Sequence, residues 1–239
     1  GNVIGHAAIC IAFVGLAASL LIPKSRPGHP DIQVSLNIWK GTVDIIRHAL
    51  QHDTIVRTVL GLSWFLLVGS VYMSQFANYA QSVVHANNEV YILFLLVFSV
   101  GIAAGSMVCD TILRGEITAR LTPYLAFGTA VFTLLMVFAT PAPTHEGLMD
   151  IHQFLASSSH WPMLFCMLMV AVCGGIYIVP LYALLQSQAH EQYRSRVMAA
   201  SNLSDSVFMT LAALVSAVLL MLGFGILDLF IILAILNMV

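Results

Sequence analysis

Charged side chains are scarce in this 239-residue chain, in which nine Lys and Arg and eleven Asp and Glu make up 8% of the residues. An ordinary soluble domain is about one quarter charged. So few charges exclude a water-soluble fold, because most of the surface must face something other than water. The formal net charge of -2 at pH 7 also excludes the broad positive field of a nucleic-acid-binding protein.

Cysteines are few, and they are not spaced as ligands. The four of them lie inside apolar runs without a C-x-x-C pair: Cys10, Cys109, Cys166 and Cys173. This pattern indicates neither a disulfide framework nor a zinc site. The sequence also lacks a glycine loop for phosphates and a cluster of metal ligands, so we expect no metal and no cofactor.

Long apolar runs are abundant, with 59% hydrophobic residues and a mean hydropathy of +0.93. A helix needs about 20 apolar residues to cross the hydrocarbon core of a bilayer. The runs predict seven helices, the last of them too short to cross: residues 2–22, 54–80, 90–113, 121–140, 162–186, 197–222 and 229–239.

Asp228 precedes the last of these runs and follows two nearby glycines, and it is predicted to be the N-cap of the last helix.

The basic residues segregate to one side of these predicted helices. The connections at 81–89 and 141–161 contain no Lys or Arg. The positive-inside rule therefore places these two connections outside and the basic ones in the cytoplasm. All nine basic residues fall on the cytoplasmic side: Lys24, Arg26, Lys40, Arg47, Arg57, Arg114, Arg120, Arg194 and Arg196.

The longest connection, residues 23–53, is predicted to be a cytoplasmic linker. It opens with a proline-rich stretch that cannot be helical throughout. Residues 36–51 then alternate apolar and polar positions at spacings of three and four, which indicates an amphipathic helix. This helix lies on the membrane surface or packs on neighbouring protein, and both alternatives are open.

One helix, a long linker and six further helices form the layout around the midpoint of a twelve-helix secondary transporter. We therefore predict an all-α membrane protein. Residues 1–22 are the last transmembrane helix of the N-terminal half, and residues 54–239 are the C-terminal six-helix bundle with its last helix truncated.

Evidence for catalysis is weak. The spacing H-x-x-x-x-D, which some acyltransferases use, occurs from His48 to Asp53 and from His145 to Asp150. The two pairs fall in different compartments and lack the companion motifs of such enzymes. We therefore predict no catalytic residue and no enzyme in this segment.

Polar residues inside apolar runs are more informative, because each must face a partner or a wet cavity. In the second run Tyr72, Gln75, Asn78 and Tyr79 share one helical face, and Trp64 lies two turns earlier. This face lines a substrate cavity or bonds to neighbouring helices.

Glycine and proline interrupt the fifth run. Gly174, Gly175 and Pro180 predict a hinge, and the alternative is close packing with a static kink. The same run carries three further candidates for the cavity: Tyr177, Tyr182 and Gln186.

In the sixth run Asn202 and Ser206 belong to a small or polar stripe and are also assigned to the cavity. Asp205 lies beside this stripe, and one interpretation is that it binds a coupling cation or a substrate ammonium. An ion pair with Arg194 or Arg196, or a contact with water, is the interpretation that we favour.

The third run contains Gly101-x-x-x-Gly105, which allows close helix approach, and ends in Asp110 followed by Arg114 and glycine. This pattern resembles the second-half copy of the signature loop of the major facilitator superfamily. There the acid meets charges and helix ends of the other half. The resemblance implies gating by the charged residues near the cytoplasmic helix ends: Asp110, Arg114, Arg194, Arg196 and Asp205.

Residues 174–186 (GGIYIVPLYALLQ) and 193–202 (YRSRVMAASN) narrow the resemblance to the lysophospholipid transporter family. Residues 62–65 (LSWF) and 74–79 (SQFANY) resemble the seventh helix of that family, and residues 21–24 (LIPK) resemble the end of its sixth. The similarity covers nearly the whole chain.

This resemblance implies a multi-pass carrier of the bacterial inner membrane that moves lysophospholipid, chiefly lysophosphatidylethanolamine, to the cytoplasmic leaflet for reacylation. The implied partners are that substrate, membrane lipids, the N-terminal six-helix half and a fused or separate acyltransferase. The family includes members fused to an acyltransferase and an acyl-carrier-protein ligase. Two alternatives are a major facilitator exporter of another small or drug-like substrate and a membrane domain that anchors a fused acyltransferase or ligase.

Overall fold

The computed structural model describes residues 2–21, 53–113, 118–142, 147–189 and 194–238. The chain divides into two compact units, at residues 1–35 and 36–239. The predicted linker, with its surface helix, falls almost wholly on residues 22–52 and lies outside the described residues. Arg114 and His145 lie outside them as well.

The first unit contains helix α1, Asn2–Leu20. Its 19 residues are apolar apart from Asn2, His6 and Ser19, which agrees with the run predicted at 2–22. Ser19 satisfies its hydroxyl locally by donating to the Leu16 carbonyl at 2.7 Å.

The second unit is built from helices. A short helix, α5, occurs in the connection at 141–161, where no helix was predicted. The helices are α2 Asp53–Asn78, α3 Asn88–Leu113, α4 Thr122–Ala139, α5 Ile151–Ala156, α6 Trp161–Gln188, α7 Arg194–Met221 and α8 Ile226–Met238.

Five helices of this unit are long and apolar enough to cross a membrane: α2, α3, α4, α6 and α7. The 28 residues of α6 correspond to about 42 Å at 1.5 Å per residue, more than the hydrocarbon thickness of about 30 Å. Helix α8 is apolar but has 13 residues. Length and composition thus agree with a helical membrane bundle.

Helix α6 lies at the centre of the bundle and packs on α2, α3 and α4. Its crossing with α3 is unusually close, as the Gly101-x-x-x-Gly105 motif predicts. A Cβ on Gly105 would lie 2.2 Å from the Val172 carbonyl oxygen, and one on Gly175 would lie 2.3 Å from that of Ile102. Backbones that approach this closely require glycine, because any side chain would separate the helices.

Aromatic rings fill the bundle at the end opposite to the start of α2. Ring centroids lie 5.2 to 6.3 Å apart in tilted or edge-on pairs. Such geometry is favoured by the ring quadrupoles. The rings belong to Tyr72, Phe76, Tyr79, Phe94, Phe98, Phe154 and Phe230.

Two connections meet at this aromatic end. Ala86, after α2, forms a bridge with Met149, after α4, through two backbone hydrogen bonds of 2.8 Å. The connections predicted to share the outer side therefore lie at one end of the bundle. At the other end the starts of α2 and α4 and the end of α6 line one cleft, so Arg57 and Arg120 lie at a common end.

Two acids accept backbone hydrogen bonds at the starts of helices. Asp150 is the N-cap of α5 and forms a capping box with Gln153. The acid of the second H-x-x-x-x-D pair, His145 to Asp150, therefore has a structural role as a helix cap. The N-cap role predicted for Asp228 is wrong. Asp228 is the third residue of α8, and its Oδ2 accepts from the Gly225 N–H at 2.8 Å, because a carboxylate at this position reaches back to the first free donor of the helix.

Candidate functional site

The tyrosines of the predicted cavity face on α2 bond to neighbouring helices. Tyr72 is 2% exposed, and its hydroxyl bonds to Thr133 of α4. Tyr79 lies in a π-helical turn that follows α2. Its hydroxyl oxygen is 2.6 Å from Thr140 Oγ1 and 3.0 Å from the Met163 sulfur. The two hydroxyls therefore make the interhelical hydrogen bonds that were the alternative to a substrate contact.

The two amides of the same face bond to each other. Asn78 Nδ2 donates to Gln75 Oε1 at 3.2 Å. Gln75 is buried and Asn78 is exposed. Asn78 is the donor in this pair, so its side-chain amide oxygen retains capacity to accept a hydrogen bond.

Trp64 takes part in a chain of hydrogen bonds across three helices. Its Nε1 donates to Asn237 Oδ1 of α8 at 2.8 Å, and Asn237 Nδ2 donates to the Ala126 carbonyl of α4 at 2.8 Å. The sequence prediction missed Asn237. Its signal was a single amide within the last apolar run, where a buried polar group needs a partner.

On α6, Tyr177 closes the gap to α2. Its hydroxyl donates to the Gly61 carbonyl at 3.1 Å, and its ring stacks on Phe65 with centroids 5.5 Å apart. Gly174 lies beneath Phe65, since a Cβ there would be 2.8 Å from that ring. Gly174 and Gly175 are thus close-packing positions, and the hinge at Gly174, Gly175 and Pro180 stays a prediction.

A narrow aromatic cleft of about 30 Å³ lies between α2 and α6. This volume holds one or two waters. Predicted cavity residues Trp64, Tyr72 and Tyr177 line it, together with Gly174 and Asn237.

A second cleft, of about 150 Å³, lies between α2, α7 and α8. We call it the apolar cleft. Trp64, Leu67 and Val71 line it on α2, Leu211 and Val215 on α7, and Leu229, Ile232 and Leu236 on α8. A surface of this kind suits a hydrocarbon chain, since it offers contact area without polar groups that would lose hydrogen bonds.

The third cleft, of about 440 Å³, opens at the end where α2 and α4 begin. We call it the polar cleft. Asp53 and Arg57 lie one helical turn apart on its α2 wall. Thr122 lines it on α4, and its buried Oγ1 has no hydrogen-bond partner within the described ranges. The sequence prediction missed this site, although a basic residue in the second turn of an apolar helix was a signal for it.

The other candidates of α6 and α7 lie outside these three clefts. Tyr182 is half-buried, whereas Gln186, Asn202 and Ser206 are exposed. Ser206 donates to the Asn202 carbonyl of its own helix at 2.8 Å. The structure therefore does not bring the four predicted amides Gln75, Asn78, Gln186 and Asn202 into one described cleft.

Among the described gating candidates, Asp205 is buried and the others are exposed. Asp110 is exposed near the end of α3, and Arg194 and Arg196 are exposed in the first turn of α7. Asp205, in contrast, is 5% exposed, and its Oδ1 accepts from Ser63 Oγ of α2 at 2.7 Å. The partner that the structure gives Asp205 is thus a serine hydroxyl.

The described residues are almost all helical, and the second unit is a bundle with five helices fit to cross a bilayer, which is the architecture of a multi-pass membrane protein. They contain no group of three His, Cys, Asp or Glu side chains placed to hold a metal ion. No protein-family model, curated protein or solved structure matches this chain.

Proposed function

We propose that this chain is the C-terminal half of a major facilitator transporter that moves a lysophospholipid across the bacterial inner membrane for reacylation. The observation that carries the proposal is the pairing of a charged cleft with an apolar cleft on one membrane-crossing helix, α2. A lysophospholipid has the same two parts, a charged headgroup and one acyl chain.

The polar cleft matches a zwitterionic headgroup in charge. The Arg57 guanidinium offers paired N–H donors to a phosphate, and the Asp53 carboxylate accepts from an ammonium. Lysophosphatidylethanolamine carries both a phosphate and an ammonium, which supports it as the cargo.

The apolar cleft accounts for the acyl chain. Its lining is hydrocarbon apart from Ser216 and the Trp64 indole nitrogen, and that nitrogen already donates to Asn237. Transfer of an acyl chain from the bilayer into such a cleft costs little, because both environments are apolar. Charge recognition at the headgroup would then set specificity.

The exposed face of α7 supports the presence of a second half. Asn202, Ser206 and Thr210 follow at spacings of four and are all exposed on a helix fit to cross a membrane. Such polar residues face protein or a wet cavity in membrane proteins. The other six-helix half of a transporter would supply that environment.

Translocation of a fluorescent lysophosphatidylethanolamine by the full-length protein in liposomes tests the proposal, with an impermeant reductant quenching the outer leaflet. We expect transfer above that of protein-free vesicles. Arg57→Gln should slow it about tenfold or more, because a charge-assisted contact with phosphate contributes about 1.5–3 kcal/mol. Arg120→Gln is the matched control, since Arg120 is exposed at the same end outside the polar cleft.

Transfer equal to that of protein-free vesicles would overturn the transport proposal. Equal slowing by the two Arg variants would overturn the assignment of the headgroup to the polar cleft alone.

Alanine at Gln186 or Asn202 is expected to slow the same transfer several-fold, because their exposed amides can bond to a phosphate or glycerol oxygen. Alanine at Gln75 or Asn78 should have a smaller effect, since these two bond to each other. The control is Ser187→Ala, whose hydroxyl donates to its own helix at Leu184. Unchanged rates at all four amides, with normal amounts in the membrane, would assign them structural roles.

A further inference from the structure

A buried polar cluster lies between α2 and α7, apart from the three clefts. Ser63 and Ser201 are 0% exposed and Asp205 is 5% exposed. Ser204 is half-buried beside them. A carboxyl group enclosed between two helices that are fit to cross a membrane is expensive, and such groups mark functional sites.

The hydrogen bonds of this cluster are incomplete. Ser63 Oγ lies 2.7 Å from Asp205 Oδ1 and 2.8 Å from Ser204 Oγ, but its single proton can be donated to one of them at a time. The Ser201 Oγ is buried without a partner in the part of the chain that the structure describes. The cluster therefore holds oxygen lone pairs that its own protons do not satisfy.

Two of the oxygen-bearing side chains, those of Ser201 and Asp205, share one face of α7. Ser201 and Asp205 are one turn apart on α7, at a spacing that puts two side chains on the same helical face. That face is buried, and α7 packs chiefly on α2, from which Ser63 projects. The unpaired hydroxyl and the carboxylate thus both lie on the surface that α7 presents to α2.

We propose that Asp205, Ser63 and Ser201 form a binding site for a sodium ion. Carboxylate and hydroxyl oxygens are the ligands that hard cations prefer. One carboxylate neutralises one monovalent charge, whereas a divalent ion would leave an uncompensated positive charge in a buried place. The basic side chains of the two helices, Arg57, Arg194 and Arg196, are exposed and lie nearer the helix ends.

A sodium ion at this position would join α2 to α7. Helix α7 makes few contacts with α6 and α8, so the α2 interface determines how firmly it is held. Bound sodium would neutralise Asp205 and stabilise that interface. The site goes beyond the transport proposal and stands whatever the cargo is.

Thermal unfolding of the full-length protein in detergent tests the site without any transport. We expect Tm to be higher in NaCl than in KCl of equal ionic strength, rising in a saturable way. The rise should be roughly 5 °C once sodium is about 100 times its Kd. Asp205→Asn should abolish the difference between the salts, and Ser201→Ala should weaken sodium binding several-fold.

Two controls isolate the cluster. Glu89→Gln removes an exposed acid at the start of α3, and Ser216→Ala removes another buried hydroxyl of α7. Both should keep the full sodium response. If Asp205→Asn does not fold, the difference in Tm between NaCl and KCl, measured on the parent protein and on Ser201→Ala, still tests the proposal.

A parent Tm that is the same in NaCl and KCl would overturn the proposal. If Tm varies with pH but not with sodium, the sodium proposal is wrong and Asp205 binds a proton instead. An undiminished response in Ser201→Ala and Asp205→Asn would place sodium elsewhere. Failure of lysophospholipid transfer would leave this result unaffected, so the two proposals can fail separately.

Discussion

Gly105→Ala is expected to lower the stability of the bundle more than any other single-methyl change at its helix crossings. The added Cβ would lie 2.2 Å from the Val172 carbonyl oxygen and 3.1 Å from the Gly175 Cα. Both are backbone atoms of α6, and no rotamer change can relieve the overlap. Helices α3 and α6 would have to move apart along their whole contact.

Overpacking of this kind costs about 1–3 kcal/mol, and more where rigid backbone must yield. Separation of the helices would also remove close van der Waals and Cα–H···O contacts, which drive helix association in lipid. For a chain of this size we expect a decrease in Tm of roughly 5–10 °C, measured by thermal unfolding in detergent.

Gly69→Ala is the matched control. Gly69 lies inside α2, and an added Cβ there meets none of the described atoms within 4 Å, apart from its own helix backbone. Alanine should leave stability unchanged or raise it by up to about 1 kcal/mol through helix propensity. A Gly105→Ala protein as stable as Gly69→Ala would contradict the close crossing of α3 and α6.

The second large loss of stability is expected when the buried hydrogen bond between Tyr72 and Thr133 is broken. Thr133 Oγ1 donates its proton to the Thr129 carbonyl at 2.7 Å. Tyr72 must therefore donate to Thr133. The direction of this bond makes the two partners unequal.

Thr133→Val removes the acceptor and leaves a fully buried tyrosine hydroxyl unpaired, at a cost of about 1–3 kcal/mol. Tyr72→Phe removes the donor, while Thr133 keeps its bond to Thr129, so its cost should be smaller. The double variant should be more stable than Thr133→Val alone, because no orphaned group remains. Tm values of the three variants measure this order.

Equal losses in the two single variants would contradict the assigned direction. A double variant less stable than Thr133→Val would show that both side chains act through packing instead.

The helices themselves were predictable because an apolar run of more than 20 residues has few alternatives in lipid. The run predicted at 162–186 is the helix Trp161–Gln188, and the run at 90–113 is Asn88–Leu113. The close helix approach at Gly101 and Gly105 was predictable as well, since small residues four apart leave one face of a helix flat. The substrate assignments of the exposed amides stay predictions.

The sequence by itself determined which segments are helical, which helix faces can approach closely and where the basic residues gather, because these depend on neighbours within a turn or two. Only the tertiary structure decided which polar groups meet. Ser63 and Asp205 are 142 residues apart, Trp64 and Asn237 are 173 apart, and Tyr72 and Thr133 are 61 apart. Helices that are apolar on all sides carry no periodic signal of the face that each presents to its partners. The polar cleft and the Asp205 cluster therefore emerge only when the helices are packed together.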